Sequence, residues 1–157
     1  MKMIAALLLA FGLTGCVGEP APVPAEAPGA NSPINVASTT VDGITMEARL
    51  IDAMTLGDAM TKQYGITQME NAWLLLITLR DAEGNGVPAN AVQVSARAGE
   101  LTEALAPVTL RSISVNGLND LVGTVQAKPP TTLRIEIDAI RGGARAEMRF
   151  SRDLPRP

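Results

Sequence analysis

Apolar and polar side chains alternate along much of this chain from residue 44 onward. Ile44, Met46, Ala48 and Leu50 are separated by Thr45, Glu47 and Arg49, and Val92, Val94, Ala96 and Ala98 by Gln93, Ser95 and Arg97. Leu133, Ile135, Ile137 and Ala139 are separated by Arg134, Glu136 and Asp138, and Ala144, Ala146, Met148 and Phe150 by Arg145, Glu147 and Arg149. Successive side chains of an extended strand point to opposite faces, so a period of two predicts half-buried β-strands. A two-residue loop at Gly142-Gly143 would fix the register of the last two strands: Ile137 opposite Met148, Ile135 opposite Phe150 and Glu136 opposite Arg149. Asp138 then meets Glu147, an unfavourable pair that Arg145 or Arg149 is expected to relieve.

Other segments are less regular. Residues 107–115 and 120–127 read as strands, but in the first the apolar phase moves from Val108 and Leu110 to Ile113 and Val115, which predicts a bulge near Arg111. Thr55 followed by Asp58 is a capping-box variant, Leu56, Ala59, Met60 and Tyr64 share a helical face, and Gly65 stands where a C-terminal cap belongs, so a short helix is expected over 56–64. The strand at 72–80 is apolar on both faces, with Trp73, Leu75, Ile77 and Leu79 on one and Leu74 and Leu76 on the other. Both faces need cover. The core takes the first set, and Leu56, Met60 and Tyr64 of the helix are the natural cover for the second; without that cover, Leu74 and Leu76 become an interaction patch. About seven strands with Pro/Gly-rich turns predict an all-β, immunoglobulin-like antiparallel β-sandwich with one short helix over residues 38–157.

The beginning of the chain has a different character. Lys2, an apolar stretch over residues 3–13 and small residues before Cys16 follow the order of an export signal, and the stretch is shorter than the roughly 20 apolar residues a bilayer span needs. Leu13-Thr14-Gly15-Cys16 matches the bacterial lipobox, so residues 1–15 are expected to be removed and Cys16 lipidated. Val17 stands where an aspartate would retain such a protein at the inner membrane, which predicts the periplasmic face of the outer membrane. Residues 16–37 form a Pro/Ala-rich linker, including Pro20, Pro22, Pro24, Pro28 and Pro33, that spans about 50 Å at roughly 3 Å per residue.

Composition then excludes chemistry. The chain of 157 residues has no histidine and one cysteine. That removes a Ser-His-Asp triad, a Cys-His pair and imidazole-bound zinc, and lipidation consumes the thiol. Loss of Lys2 from 13 basic residues leaves 12 against 16 acidic ones, a net charge of −4 that disfavours nucleic acid as a partner. Trp73, Tyr64 and Phe150 are the aromatic residues remaining after maturation, too few for a sugar-binding or base-stacking platform.

The remaining candidates are modest. Residues 81–86 place Asp81, Glu83 and Asn85 at alternate positions before Gly86, as an EF-hand calcium loop does, but the twelfth position is Val92 and both flanks read as strands. A Gly-rich turn is the better reading, and no metal or other cofactor is expected. Glu136 and Asp138 project from one strand face and could serve as an acid/base pair, yet an Arg-rich strand opposes them, which predicts a solvated salt-bridge ladder. Glu100 and Glu103 fall in a loop or turn. Tyr64-Gly65-Ile66 reads as a helix end whose Tyr packs and whose Gly caps; a sharper reading makes Tyr64, Gln63 and Gln68, with Leu74 and Leu76, a partner-binding surface.

The order of a strand, a short helix ending in Tyr64-Gly65-Ile66, an apolar strand over 73–80, a Gly/Pro turn and further strands through Phe150 resembles a family of small exported Gram-negative proteins known as a domain of unknown function. The resemblance spans about 41–154 and implies a β-sandwich in the cell envelope, with no reaction attached. Relatives carry a basic residue soon after the Tyr-Gly-Ile string, where this chain has Thr67-Gln68-Met69, so a role for that charge does not transfer. The expectation is a lipid-anchored, non-enzymatic module that binds an envelope protein or peptide. The alternatives are a small-ligand carrier with a cavity between the sheets and a carboxylate-based hydrolase.

Overall fold

The computed structural model describes residues 36–115 and 117–155. The expected export signal, Cys16 and most of the expected linker lie outside the described residues. Among these residues, nine strands form two antiparallel sheets: β1 (Val36–Val41), β2 (Ile44–Asp52), β3 (Ala72–Arg80), β4 (Gln93–Glu100), β5 (Ala106–Val108), β6 (Arg111–Val115), β7 (Leu118–Gln126), β8 (Thr131–Arg141) and β9 (Ala144–Leu154). The larger sheet runs β1-β2-β3-β7-β6 and the smaller β5-β4-β8-β9. This is the expected all-β sandwich with one short helix. It has more strands than the sequence pattern showed because β1 begins at Val36, inside the expected linker, and because the segment 107–115 is two strands.

The register of the last hairpin is the one expected. Ile137 faces Met148, Ile135 faces Phe150, Glu136 faces Arg149 and Asp138 faces Glu147. Gly142 and Gly143 have φ of 53° and 87°, the left-handed pair that a tight hairpin turn of matching twist requires. Arg145 donates to Asp138 Oδ1 at 2.6 Å, and Arg149 bonds Glu147. The unfavourable carboxylate pair is thus relieved from within its own hairpin.

The expected bulge near Arg111 is a change of sheet. Residues 106–108 pair with β4 in the smaller sheet, whereas 111–115 pair with β7 in the larger. The apolar phase slips by one because Val108 and Leu110 pack on the core between the sheets, whereas Ile113 and Val115 pack on the helix-side cluster of the larger sheet's outer face. The crossing passes over Gly123, where an added Cβ would lie 2.6 Å from Val108 Cγ1 and 3.1 Å from Leu110 Cδ2. A side chain at 123 would collide with the crossing.

Two apolar clusters flank β3. Between the sheets, Met46, Leu75, Ile77, Leu79, Leu133, Ile135 and Ile137 are fully buried. On the outer face of the larger sheet, Leu74 and Leu76 pack with Leu56, Tyr64 and Val122. Leu56 and Tyr64 therefore cover β3 as expected, but Met60 does not take part and Thr61 is buried in its stead. The helix spans α1 (Asp58–Tyr64) with Gly57 as its N-cap. Asp52 accepts from the Met54 N–H at 2.9 Å and its carbonyl accepts from Thr55 Oγ1 at 2.7 Å, so Thr55 belongs to the preceding 3₁₀ turn and does not cap α1. The later start buries Thr61 with Tyr64 and leaves Met60 38 % exposed. Gly65 ends the helix at φ 56°, and the Ile66 N–H donates to Thr61 O at 2.8 Å, the six-to-one bond of a left-handed C-terminal cap.

Candidate functional site

The helix layer does not cover the whole outer face. Beside the end of α1 lies a groove of about 330 Å³ whose floor is Leu74 of β3 and residues 122–124 of β7. Ile66 forms one wall, residues 107–109 of the crossing form the other, and Arg111 stands at the end. Each wall follows from local sequence: the Gly65 cap turns Ile66 back toward the sheet, and Gly123 lets the crossing run close enough to form a rim.

Pairing explains why the groove is open. β7 pairs with β3 from Asp120 to Gln126, but with β6 only from Leu118 to Val122. Among the described residues, positions 123–126 of β7 thus have a strand neighbour on one side alone. Exposed Thr124 lies on this unpaired length. A strand edge carries backbone donors and acceptors that seek partners.

Arg111 is the charged side chain of the groove. Its Nη2 donates to Gly65 O at 3.2 Å, joining the crossing to the helix end, where a cation is favourable. Among the described residues no carboxylate lies within salt-bridge distance of it, although other arginines are paired: Arg80 with buried Asp120 at 3.1 Å, Arg97 with Glu136 at 2.7 Å and Arg145 with Asp138 at 2.6 Å. A guanidinium has five N–H donors, so the bond to Gly65 leaves others unused.

The sequence candidates are dispersed relative to this groove. Leu74 is in its floor but only 1 % exposed. Tyr64, at the end of the helix, and Leu76 of β3 are buried in the same cluster, so these three do not form an exposed patch. Gln63 is exposed on the helix, and Gln68 donates its amide to Leu56 O at 2.5 Å, tying the loop after the helix to the residue before it. Sequence reading missed Ile66, Thr109, Arg111 and Thr124. The phase slip before Arg111 was the available signal, but a bulge and a sheet crossing shift the pattern alike.

The carboxylates are used structurally. Asp81 Oδ1 accepts from the backbone N–H of Asn85 at 2.8 Å and of Glu83 at 3.1 Å, and Oδ2 accepts from the Asn85 amide at 3.2 Å. Those bonds, led by the Asn85 N–H, hold its carboxyl below the ordinary range and close a turn. Glu136 contacts Arg97 and Arg149. Glu100, at the end of β4, accepts from Lys128 N at 3.0 Å and Thr131 Oγ1 at 3.1 Å, fastening the β7–β8 connection. Near the C-terminal end of β9, Arg152 lies over the Trp73 ring, 5.1 Å from its centroid, and donates to Leu50 O; burial lowers its guanidinium pKa.

Two antiparallel sheets with a short helix closing part of the outer face make this a helix-capped β-sandwich, with its candidate site outside the sandwich. Residues 38–155 match the family described as Domain of unknown function (DUF4426), and the chain belongs to that family. It is similar in fold to a crystal structure of a DUF4426 family protein from Pseudomonas aeruginosa PAO1, at 12% identity and a TM-score of 0.63, covering 78% of this chain and 97% of that one. It is also similar to a copper-bound FetP variant from uropathogenic Escherichia coli strain F11, at 10% identity and a TM-score of 0.52, covering 77% and 95%. Identities this low carry the fold alone. No curated protein matches the chain.

Proposed function

We propose that this protein is a lipid-anchored, non-enzymatic module on the periplasmic face of the outer membrane that binds an envelope protein or peptide through the groove beside α1. The observation that carries the binding reading is the unpaired length of β7 at 123–126, set between Ile66 and the 107–109 crossing. The anchoring and location rest on the lipobox at residues 13–16 and on Val17.

Two facts favour this over the alternatives. The space between the sheets is filled by Met46, Leu75, Ile77, Leu79, Leu133, Ile135 and Ile137, whereas a carrier needs an enclosed apolar cavity. Glu136, Asp138 and Asp120 each contact arginine, whereas carboxylate hydrolysis needs acids converging in a cleft. The copper belongs to the FetP variant and, at 10% identity, is not transferred to this chain.

In-cell photocrosslinking tests the reading. A photoreactive residue at Thr124 is expected to give adducts with an envelope protein, and one at exposed Ser95 on the opposite sheet is not. Equal labelling from both positions, or none from Thr124, would remove the groove as the binding surface.

A further inference from the structure

An open stretch of strand edge can be completed by another strand, and four edges are available for comparison. β9 is long but carries Arg145, Glu147, Arg149, Arg152 and Asp153. β5 is three residues long with Pro107 at its centre. Charges, proline and short length are the usual means by which an edge resists pairing. β1 lies alongside β9, where Arg141 of β8 donates to Asp42 O at 2.5 Å and closes that flank. β6 extends the larger sheet on the remaining flank, but it stops at Arg111, opposite Val122, while β7 continues through 123–126 without a second strand partner among the described residues.

The groove lies beside β7 at 122–124, where β6 has not yet begun, and the crossing borders it with Val108 and Leu110 packed on the core. A segment entering there adds to β7 in line with β6, and the direction has a chemical consequence. β6 runs antiparallel to β7, so a segment following the same course passes Gln126 first and ends near Gly123. Its C-terminal end then arrives at Arg111, which among the described residues has no carboxylate within salt-bridge distance and has donors to spare beyond its bond to Gly65 O. A terminal carboxylate there would form a charge-assisted bond with the guanidinium. Thr109 and Thr124 add hydroxyls beside the path, and Leu74 and Val122 supply a small apolar floor. At about 3.3 Å per residue the unpaired length accommodates three or four residues.

We infer that the groove captures the C-terminal end of an extended polypeptide, which adds as an antiparallel strand to β7 at residues 123–126 and places its carboxylate on Arg111. This rests on the partner-binding reading above and specifies its partner: a protein or peptide with a free, extended C-terminus. Main-chain bonds supply affinity in such strand addition, and the shallow floor selects small or β-branched side chains.

The test uses the full acylated chain in detergent micelles and a library of hexapeptides with free C-terminal carboxylates, compared with the same library amidated. The free-acid library is expected to bind at least tenfold more tightly. The best peptide is then made in two forms, each N-methylated at one of the two alternating sets of amides. Only one set faces β7, so one form is expected to lose at least tenfold in affinity and the other less than threefold. Arg111→Gln is expected to abolish the preference for acid over amide. Should that variant lose its fold, the two peptide comparisons on the unaltered protein decide alone.

Equal binding of acid and amide, or equal loss from both methylated forms, overturns strand addition with carboxylate capture. A Thr124 crosslink to a second copy of this chain, or to its own residues 17–35, overturns it in favour of that occupant. If an envelope protein is crosslinked at Thr124 but the peptide pattern fails, the partner-binding reading stands and this mode of recognition falls.

Discussion

Gly123 joins the two sheets by having no side chain. Along β7, Val122 packs on the helix side while Leu121 and Val125, two residues either side of Gly123, pack in the main core; position 123 faces the crossing, and Val108 Cγ1 and Thr109 O occupy the space a side chain would take, at 2.6 and 3.1 Å from an ideal Cβ. One obstructing atom is backbone, so rotamer changes cannot fully clear the site. Gly123→Val is therefore expected to destabilise the protein by about 1–3 kcal/mol through overpacking, read as a lower urea midpoint with little change in slope. An unchanged midpoint would mean that the crossing is free to move away. Gly65 has the complementary role. Its left-handed φ of 56° turns the chain from α1 toward Ile66, so a backbone requirement at one residue places a wall of the groove.

Among elements, the β8–β9 hairpin shows how charge and register cooperate. Asp138 and Glu147 face each other by register, and repulsion there would weaken the pairing without Arg145. The Arg145 hydrogen bond, followed by the fields of Arg145, Arg97 and Arg149, holds the Asp138 carboxyl below its ordinary value of 3.8. A carboxyl depressed in the folded state adds stability that is complete above the unfolded value and is lost as pH falls through the folded one. Arg145→Ala is expected to move the Asp138 titration, followed by carbonyl NMR, upward. The gap between wild-type and variant urea midpoints should be open at pH 6 and close as pH drops below the carboxylate range. A gap that persists at pH 2 would assign the role of Arg145 to packing. This hairpin was legible in the sequence because its alternation is uninterrupted and its glycine pair permits one register. The two-sided apolarity of β3 was equally legible, since a strand without a polar face must be covered twice. The buried face of α1 was not, because Asp52 recruits Thr55 into a 3₁₀ turn and shifts the helix start. The groove was not legible either: it is created by where β6 begins relative to β7, and alternation alone does not record where a strand changes sheet.

At the scale of the whole molecule the two outer faces differ. The smaller sheet presents a balanced ladder of Arg97, Glu136, Asp138, Arg145, Glu147 and Arg149, while the larger presents the helix, the groove and the exposed Met54, Met60 and Met69. Paired charges thus lie on one outer face, and the unpaired length of β7, proposed above as the binding surface, lies on the other. A lipid tether at Cys16 would then hold that side within reach of the envelope, through a Pro/Ala-rich segment ending at the first described strand, Val36–Val41. Two or three acyl chains, at about 0.8 kcal/mol per buried methylene, suffice for essentially permanent anchoring. Cys16→Ser is expected to abolish incorporation of labelled palmitate and to move the protein from the membrane to the soluble fraction. The sandwich should keep its thermal transition, because the described strands begin at Val36. Retention of the Ser form on carbonate-washed membranes would show that another part of the chain holds it there, and the helix side would then need to be tested as a membrane-facing surface.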